Sequence, residues 1–135
     1  MFDLQILSPQ GAIFDDSVDE VSLPTENGEI EILTNHVSIY SRLTEGIIYI
    51  KKGSKTHQIA ITGGFVEVAD NKVSILSDYA IEAQNIQTAK ALEAKKKAED
   101  LIARKTSDAD ILIAEKELQK SIMELKVAEK IKHGR

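Results

Sequence analysis

GEIEILTNHVSIYSRLTEG, residues 28–46, reads as strand, turn, strand, and that reading decides the fold of the first half of the chain. Ile30 and Ile32 alternate with Glu29 and Glu31, the period of a strand that buries one face. Asn27-Gly28 ahead of them has turn chemistry, and Thr34-Asn35-His36 makes a polar break. Beyond the break, Val37, Ile39 and Ser41 alternate with Ser38, Tyr40 and Arg42.

The same period extends on both sides. FDLQIL (2–7) ends at Ser8-Pro9-Gln10-Gly11. AIFDDSVDEVSL (12–23) is expected to bend at Asp15-Asp16 and to stop at Pro24. GIIYIKKG (46–53) and THQIAI (56–61) form a hairpin around Lys52-Gly53-Ser54, and GGFVEVADNKVSIL (63–76) turns at Asp70-Asn71. Many short strands at this spacing predict a flattened antiparallel β-sandwich or barrel over residues 1–84.

The period then changes. From Asn85 the chain is rich in Ala, Lys and Glu, with no Gly or Pro before Gly134, so residues 85–135 read as a helical hairpin. Asn85 is the expected N-cap of a first helix ending near Arg104, with Ala91, Ala94, Ala98 and Leu101 as its stripe. Ser107 caps a second helix, with Asp110 completing an approximate capping box. The stripe of that helix is Ile111, Ala114, Leu118, Ile122, Leu125 and Ala128. The KTSD link (105–108) is short enough to force an antiparallel pair. Opposite the main stripe lie Leu112, Met123, Val127 and Ile131, interleaved with Lys116, Lys120 and Lys130. That second face suits packing on the sandwich with lysines at its edge, or docking into an acidic groove.

Charge divides the same way. The net charge is −5, yet residues 1–85 carry 5 Lys and Arg against 13 Asp and Glu, and residues 86–135 carry 12 against 9. The basic half is laced with acids and lacks an aromatic platform, which argues against nucleic acid. With no cysteine there are no disulfides or thiolate sites. His36, His57 and His133 lie far apart, so no zinc pattern forms. No signal or transit segment opens the chain, and no apolar run reaches the length of a membrane span.

Chemistry finds little support. Glu29 and Glu31 share a strand face and stand about 7 Å apart, near glycosidase spacing, but a charged exposed strand supplies no pocket. Gly63-Gly64 opens a strand rather than a helix, so it is a tight turn or close approach rather than a phosphate loop. His36 has no residue placed to orient it as a base; it either braces its own turn or presents a contact surface.

The order of these motifs resembles the epsilon subunit family of F-type ATP synthases, called delta in mitochondria, over essentially the whole chain. The family stretch G-E-L-G-I-x-P-G-H-x-P-L-L-T-x-L-x-P-G appears here as Gly28 through Gly46. A second, G-G-x-x-E-V followed by V-x-I-L and A, appears as Gly63-Gly64-Phe65-Val66-Glu67-Val68, Val73, Ile75, Leu76 and Ala80. A third is the helix opening at Ala91, Ala94, Ala98 and Glu99. The resemblance implies a non-catalytic rotor subunit of a proton-translocating ATP synthase. It implies that the sandwich binds the gamma subunit and the c-ring, with Glu29, Glu31 and His36 as ring contacts. It further implies a hairpin that can reach the alpha and beta subunits and restrain ATP hydrolysis. Lys116, Lys120, Met123, Val127 and Lys130 are the contacts expected from the helix projection. The implied location is peripheral, on the cytoplasmic face of a bacterial plasma membrane, or less readily on the stromal face of a thylakoid. The rival readings are a free adaptor for an unrelated acidic protein and a small hydrolase using Glu29, Glu31 and His36.

The chain also departs from the family pattern. P-G-H becomes Thr34-Asn35-His36, the last P-G becomes Glu45-Gly46, and a glycine becomes Glu31. The ATP-binding motif I/L-D-x-x-R-A reads Ile86-Gln87-Thr88-Ala89-Lys90-Ala91, which lacks the aspartate and the bidentate arginine fork, so no cofactor is expected.

Overall fold

The computed structural model describes residues 1–105 and 107–132. Thr106, His133, Gly134 and Arg135 lie outside the described residues, and with them one residue of the KTSD link and the third histidine. The chain divides into two compact units, one of Met1–Gln84 and a second beginning at Asn85.

The first unit holds ten strands: β1 (Phe2–Ser8), β2 (Gly11–Val18), β3 (Glu20–Thr25), β4 (Gly28–Leu33), β5 (Ile39–Leu43), β6 (Gly46–Lys52), β7 (Lys55–Ile61), β8 (Gly64–Ala69), β9 (Lys72–Leu76) and β10 (Ala80–Glu82). They form one sheet in the order β10-β7-β6-β3-β5-β8-β9-β1-β2, with β4 attached to β3. The two ends of this order come together. Phe14 of β2 meets His57 of β7 edge to face at 5.3 Å, and Asp16 of β2 pairs with Lys52 of β6 at 2.7 Å. The result is a nearly closed, barrel-like sheet. Its interior is filled by alternate residues: Leu4, Ile6, Leu23, Ile32, Ile48, Ile50, Ile59, Ile61 and Ile75 are fully buried. Closing the sheet removes most of its open edge while burying one face of every strand.

The segment 12–23 departs from expectation. Asp15 and Asp16 stay inside β2, paired with Gln5 and Leu4 of β1. They remain extended because Asp16 already has partners there, Lys52 Nζ and the backbone N–H of Ser17 at 2.8 Å. The bend falls at Asp19, whose N–H donates to Lys51 O at 2.9 Å and whose carboxylate accepts Gly53 N–H at 2.7 Å. Nor does Pro24 end a strand. It sits in β3 opposite Glu29, where the other side of β3 changes partner: Ser22 is the last residue on β6 and Thr25 the only one on β5. A residue in that gap needs no N–H for the ladder, which removes the usual objection to proline. Gly46 lies against it, close enough that a Cβ there would stand 3.1 Å from Pro24 Cβ.

Two features are not legible from alternation. β1 and β9 pair in parallel, with Leu4 opposite Val73 and Ile6 opposite Ile75. The three-residue β10 pairs with β7 and leads out of the sheet. The glycine pair behaves as expected: a Cβ on Gly64 would lie 2.0 Å from Leu76 O, and its φ is +149°. The Asp70-Asn71 turn also holds, with both residues at positive φ as a two-residue hairpin requires.

In the second unit, α1 (Thr88–Ala103) and α2 (Asp108–Lys132) pack on each other. Asn85 does not cap α1; it ends a 3-10 turn, Ala83–Asn85, whose first residue is buried, and Gln87 takes the N-cap position without a side-chain bond. Ser107 does cap α2, its Oγ accepting Asp110 N–H at 3.2 Å. The buried positions of this unit are Ala91, Ala98, Ala114 and Ser121, together with the larger Met123, Glu124 and Val127 of α2. Ala91 and Ala98 in α1, and Ala114 and Ser121 in α2, each recur at a spacing of seven, while Leu101 is exposed and Leu118, Ile122 and Leu125 are only half-buried. Small residues recur on both helices, where they permit close approach of the two backbones.

Candidate functional site

Glu29 and Glu31 project from β4, which is hydrogen-bonded on one side only, to β3. Ile30 and Ile32 turn inward, Ile32 completely, and both glutamates are exposed. An open strand surface is no cleft, so the hydrolase reading ends here.

His36 follows directly. Leu33 O accepts His36 N–H at 3.2 Å and Asn35 sits at φ +59°, the geometry of the second central residue of a type II turn. Asn tolerates that left-handed position, so Thr34-Asn35 makes this turn without a proline or a glycine. The imidazole is half-buried, with Nδ1 2.8 Å from Val37 O. His36 thus braces its own loop and keeps part of the ring at the surface. Val37 beside it is 73% exposed, and the expected strand through Val37 starts only at Ile39.

A neighbouring feature escaped the sequence reading. Tyr40 and Phe65 stack at 6.0 Å across the β5–β8 pair, and the Arg42 guanidinium lies 5.5 Å from the Phe65 ring centre. Tyr40, Phe65 and Leu76 are all exposed, and together they form an apolar strip on the outer surface of the sheet. Alternation placed Tyr40 outward, but only the register of β5 on β8 and of β8 on β9 brings the three side by side.

The helix candidates separate into two groups. Lys116 and Lys130 are exposed and Lys120 is half-buried, whereas Met123 is 0% and Val127 4% exposed. In this conformation the apolar half of the projected surface is therefore covered. Glu124, next to Met123, is buried as well. Burial raises its carboxyl above the usual glutamate value, with Lys120 pulling it down and Glu117 pushing it up.

Among the described residues, no group of three or more His, Asp or Glu side chains is placed to hold a metal ion. Among the same residues, no helix is long and apolar enough to cross a membrane.

The architecture is thus a barrel-like sheet with exposed charged and apolar residues, followed by a helical pair. Residues 1–83 match the family model described as ATP synthase, Delta/Epsilon chain, beta-sandwich domain. An ATP synthase epsilon chain of Bacillus velezensis is 37% identical over 125 residues, 93% of this chain and 95% of that one. One of Desulfitobacterium hafniense is 37% identical over 127 residues, 94% and 96% of the two chains. Among solved structures, a chain of the Euglena gracilis mitochondrial ATP synthase (OSCP/F1/c-ring) superposes with a TM-score of 0.66 at 25% identity, covering 93% of this chain and 79% of that one. A chain of the Tetrahymena thermophila mitochondrial ATP synthase central stalk and c-ring shares the fold, with a TM-score of 0.58 at 14% identity over 93% and 95% of the chains.

The chain belongs to the ATP synthase delta/epsilon chain family. It is a non-catalytic central-stalk subunit, and the free-adaptor reading gives way.

Proposed function

We propose that the sandwich, residues 1–84, is the part that joins the gamma subunit to the c-ring, and that Glu29, Glu31 and His36 form its ring-facing contact. The observation that carries this reading is the continuity of β4 with the His36 turn: two exposed carboxylates and a half-exposed imidazole lie on one continuous segment of the nearly closed sheet. Stiffness matters because torque passed through a loose loop is lost to its deformation. The hairpin, residues 85–135, is the regulatory element. Lys116, Lys120 and Lys130 offer positive charge to acidic partners on the alpha and beta subunits, and Met123 and Val127 join that contact only when the hairpin opens to uncover them. Gln87 and Lys90 stand where a nucleotide motif has aspartate and arginine, which favours a brake set by contact rather than by bound ATP. The subunit sits peripherally on the cytoplasmic face of a bacterial membrane.

The test is assembly. The full chain is expected to co-elute one-to-one with gamma from the same organism, and that complex to bind detergent-solubilised c-ring. Glu29→Gln and His36→Ala should weaken the second step and leave the first intact. Ring binding indifferent to both substitutions would refute the assignment.

A further inference from the structure

We infer that Asn71, at the tip of the β8–β9 hairpin, is the positioning residue of the His36 turn, so that the ring-facing contact is a composite of three chain segments: residues 29–37, Asp70-Asn71 and Met1. This rests on the ring-contact reading above and extends it to residues that carry no motif.

Asn71 makes three links. Its Oδ1 accepts the Asn35 backbone N–H at 2.8 Å, thirty-six residues away. Its Nδ2 donates to Met1 O at 3.0 Å, seventy residues away. Its backbone carbonyl accepts Asp3 N–H at 3.2 Å. The first two partners are one-way groups, an amide that only donates and a carbonyl that only accepts. They therefore require a side chain offering both functions, and a carboxamide does. The residue must also sit at φ +60° in a two-residue turn, a position asparagine accepts and glutamine does not favour.

The need for such a tether follows from the sequence of the turn itself. With Thr34-Asn35 in place of P-G, no proline ring pre-sets φ, and the local chain has more freedom to lose. The Leu33–His36 bond closes the turn but does not hold it against the body of the sheet. Asn71 does, because it belongs to a hairpin whose β9 strand is paired on both sides, with β8 and β1. The exposed Val37 and the half-exposed His36 are thereby offered at a fixed height beside Asp70 and Met1.

Asn71→Gly separates positioning from folding, since glycine keeps the positive-φ turn and loses only the carboxamide. Asn71→Asp retains the acceptor for Asn35 and loses the donor to Met1. In the full chain, hydrogen exchange at the Asn35 amide should quicken about tenfold in Asn71→Gly and stay near the parent rate in Asn71→Asp. In the gamma complex, Asn71→Gly should weaken c-ring binding several-fold with gamma affinity unchanged, and Asn71→Asp should retain most of it. An unchanged Asn35 amide in Asn71→Gly overturns the positioning role. A loosened turn with full ring affinity overturns the composite contact. Glu29→Gln and His36→Ala in the same titration then decide how far the failure reaches. If they weaken ring binding, the ring-contact reading survives without Asn71; if they do not, both fall.

Discussion

The sheet and the hairpin are stabilised in opposite ways. The sheet closes around large branched side chains, Ile50, Ile59 and Ile61 among them, all fully buried. The hairpin buries alanines, a serine, Met123 and Val127, leaves its leucines and isoleucines half-buried or exposed, and also buries a carboxylate, Glu124. A branched core holds its shape because removing any part leaves a cavity. With only two large apolar side chains buried among its described residues, the hairpin gains less apolar burial per residue than the sheet, so its seam can separate at lower cost. The difference matches the division of labour proposed above, a stiff contact on one side and a movable one on the other.

The largest effect should come from the sheet. Gly64→Ala drives a Cβ into Leu76 O and forces a left-handed backbone on a residue that resists it. We expect a loss of about 3 kcal/mol or more by urea unfolding, with the strand signal collapsing first. A tolerated alanine would show that the sheet yields more than its packing implies. Ala98→Leu tests the seam from the other direction. Ala98 is 3% exposed, and overpacking there should cost roughly 1–3 kcal/mol in the helical transition while leaving the sheet amides protected from exchange. Equal loss in both units would mean that they unfold as one body and would blunt the comparison.

Two smaller effects sharpen it. Ser107→Ala removes the Oγ that accepts Asp110 N–H and should destabilise α2 by about 1 kcal/mol, read as faster exchange in its first turn. Glu124→Gln should act in the opposite sense. Burial raises the Glu124 carboxyl above the ordinary value of 4.5, so the packed helix binds the proton more tightly than the unfolded chain does. Stability therefore falls as pH rises through the interval above 4.5 and stays lower to neutrality. The glutamine removes that loss and should stabilise the hairpin by on the order of 1 kcal/mol at neutral pH. The gain should vanish below pH 4.5, and a gain that persisted in acid would deny burial of the charge as its cause.

Much of this arrangement was readable from local pattern. The alternation of Ile30 and Ile32 placed β4, Asp70-Asn71 marked a hairpin, and Ser107 marked a helix start, because each depends on residues within a few positions of itself. Pro24 misled because the rule it follows concerns which side of a strand needs a donor, and that depends on β5 and β6. Asn85 misled because an asparagine can end a turn as well as begin a helix, and the paired β10 with buried Ala83 selects the former. Met123 and Val127 lay on a projected apolar face, yet a projection gives the direction of a side chain and not what covers it. The strip of Tyr40, Phe65 and Leu76 went unread for a similar reason, since each residue alone is an ordinary outward position.

By itself, then, the sequence determined the two periods, the point near Asn85 where one replaces the other, the turns between neighbouring strands and the motif order that marks the family. These are local properties, written in spacing and in the backbone preferences of single residues. Only the tertiary structure decided the parallel pairing of β1 with β9, the meeting of Phe14 and His57 that closes the sheet, and the carboxamide of Asn71 reaching both Asn35 and Met1. Those contacts join segments tens of residues apart. Their cost in chain entropy is repaid only when the whole sheet forms, so no window of the sequence short enough to show a period can contain them.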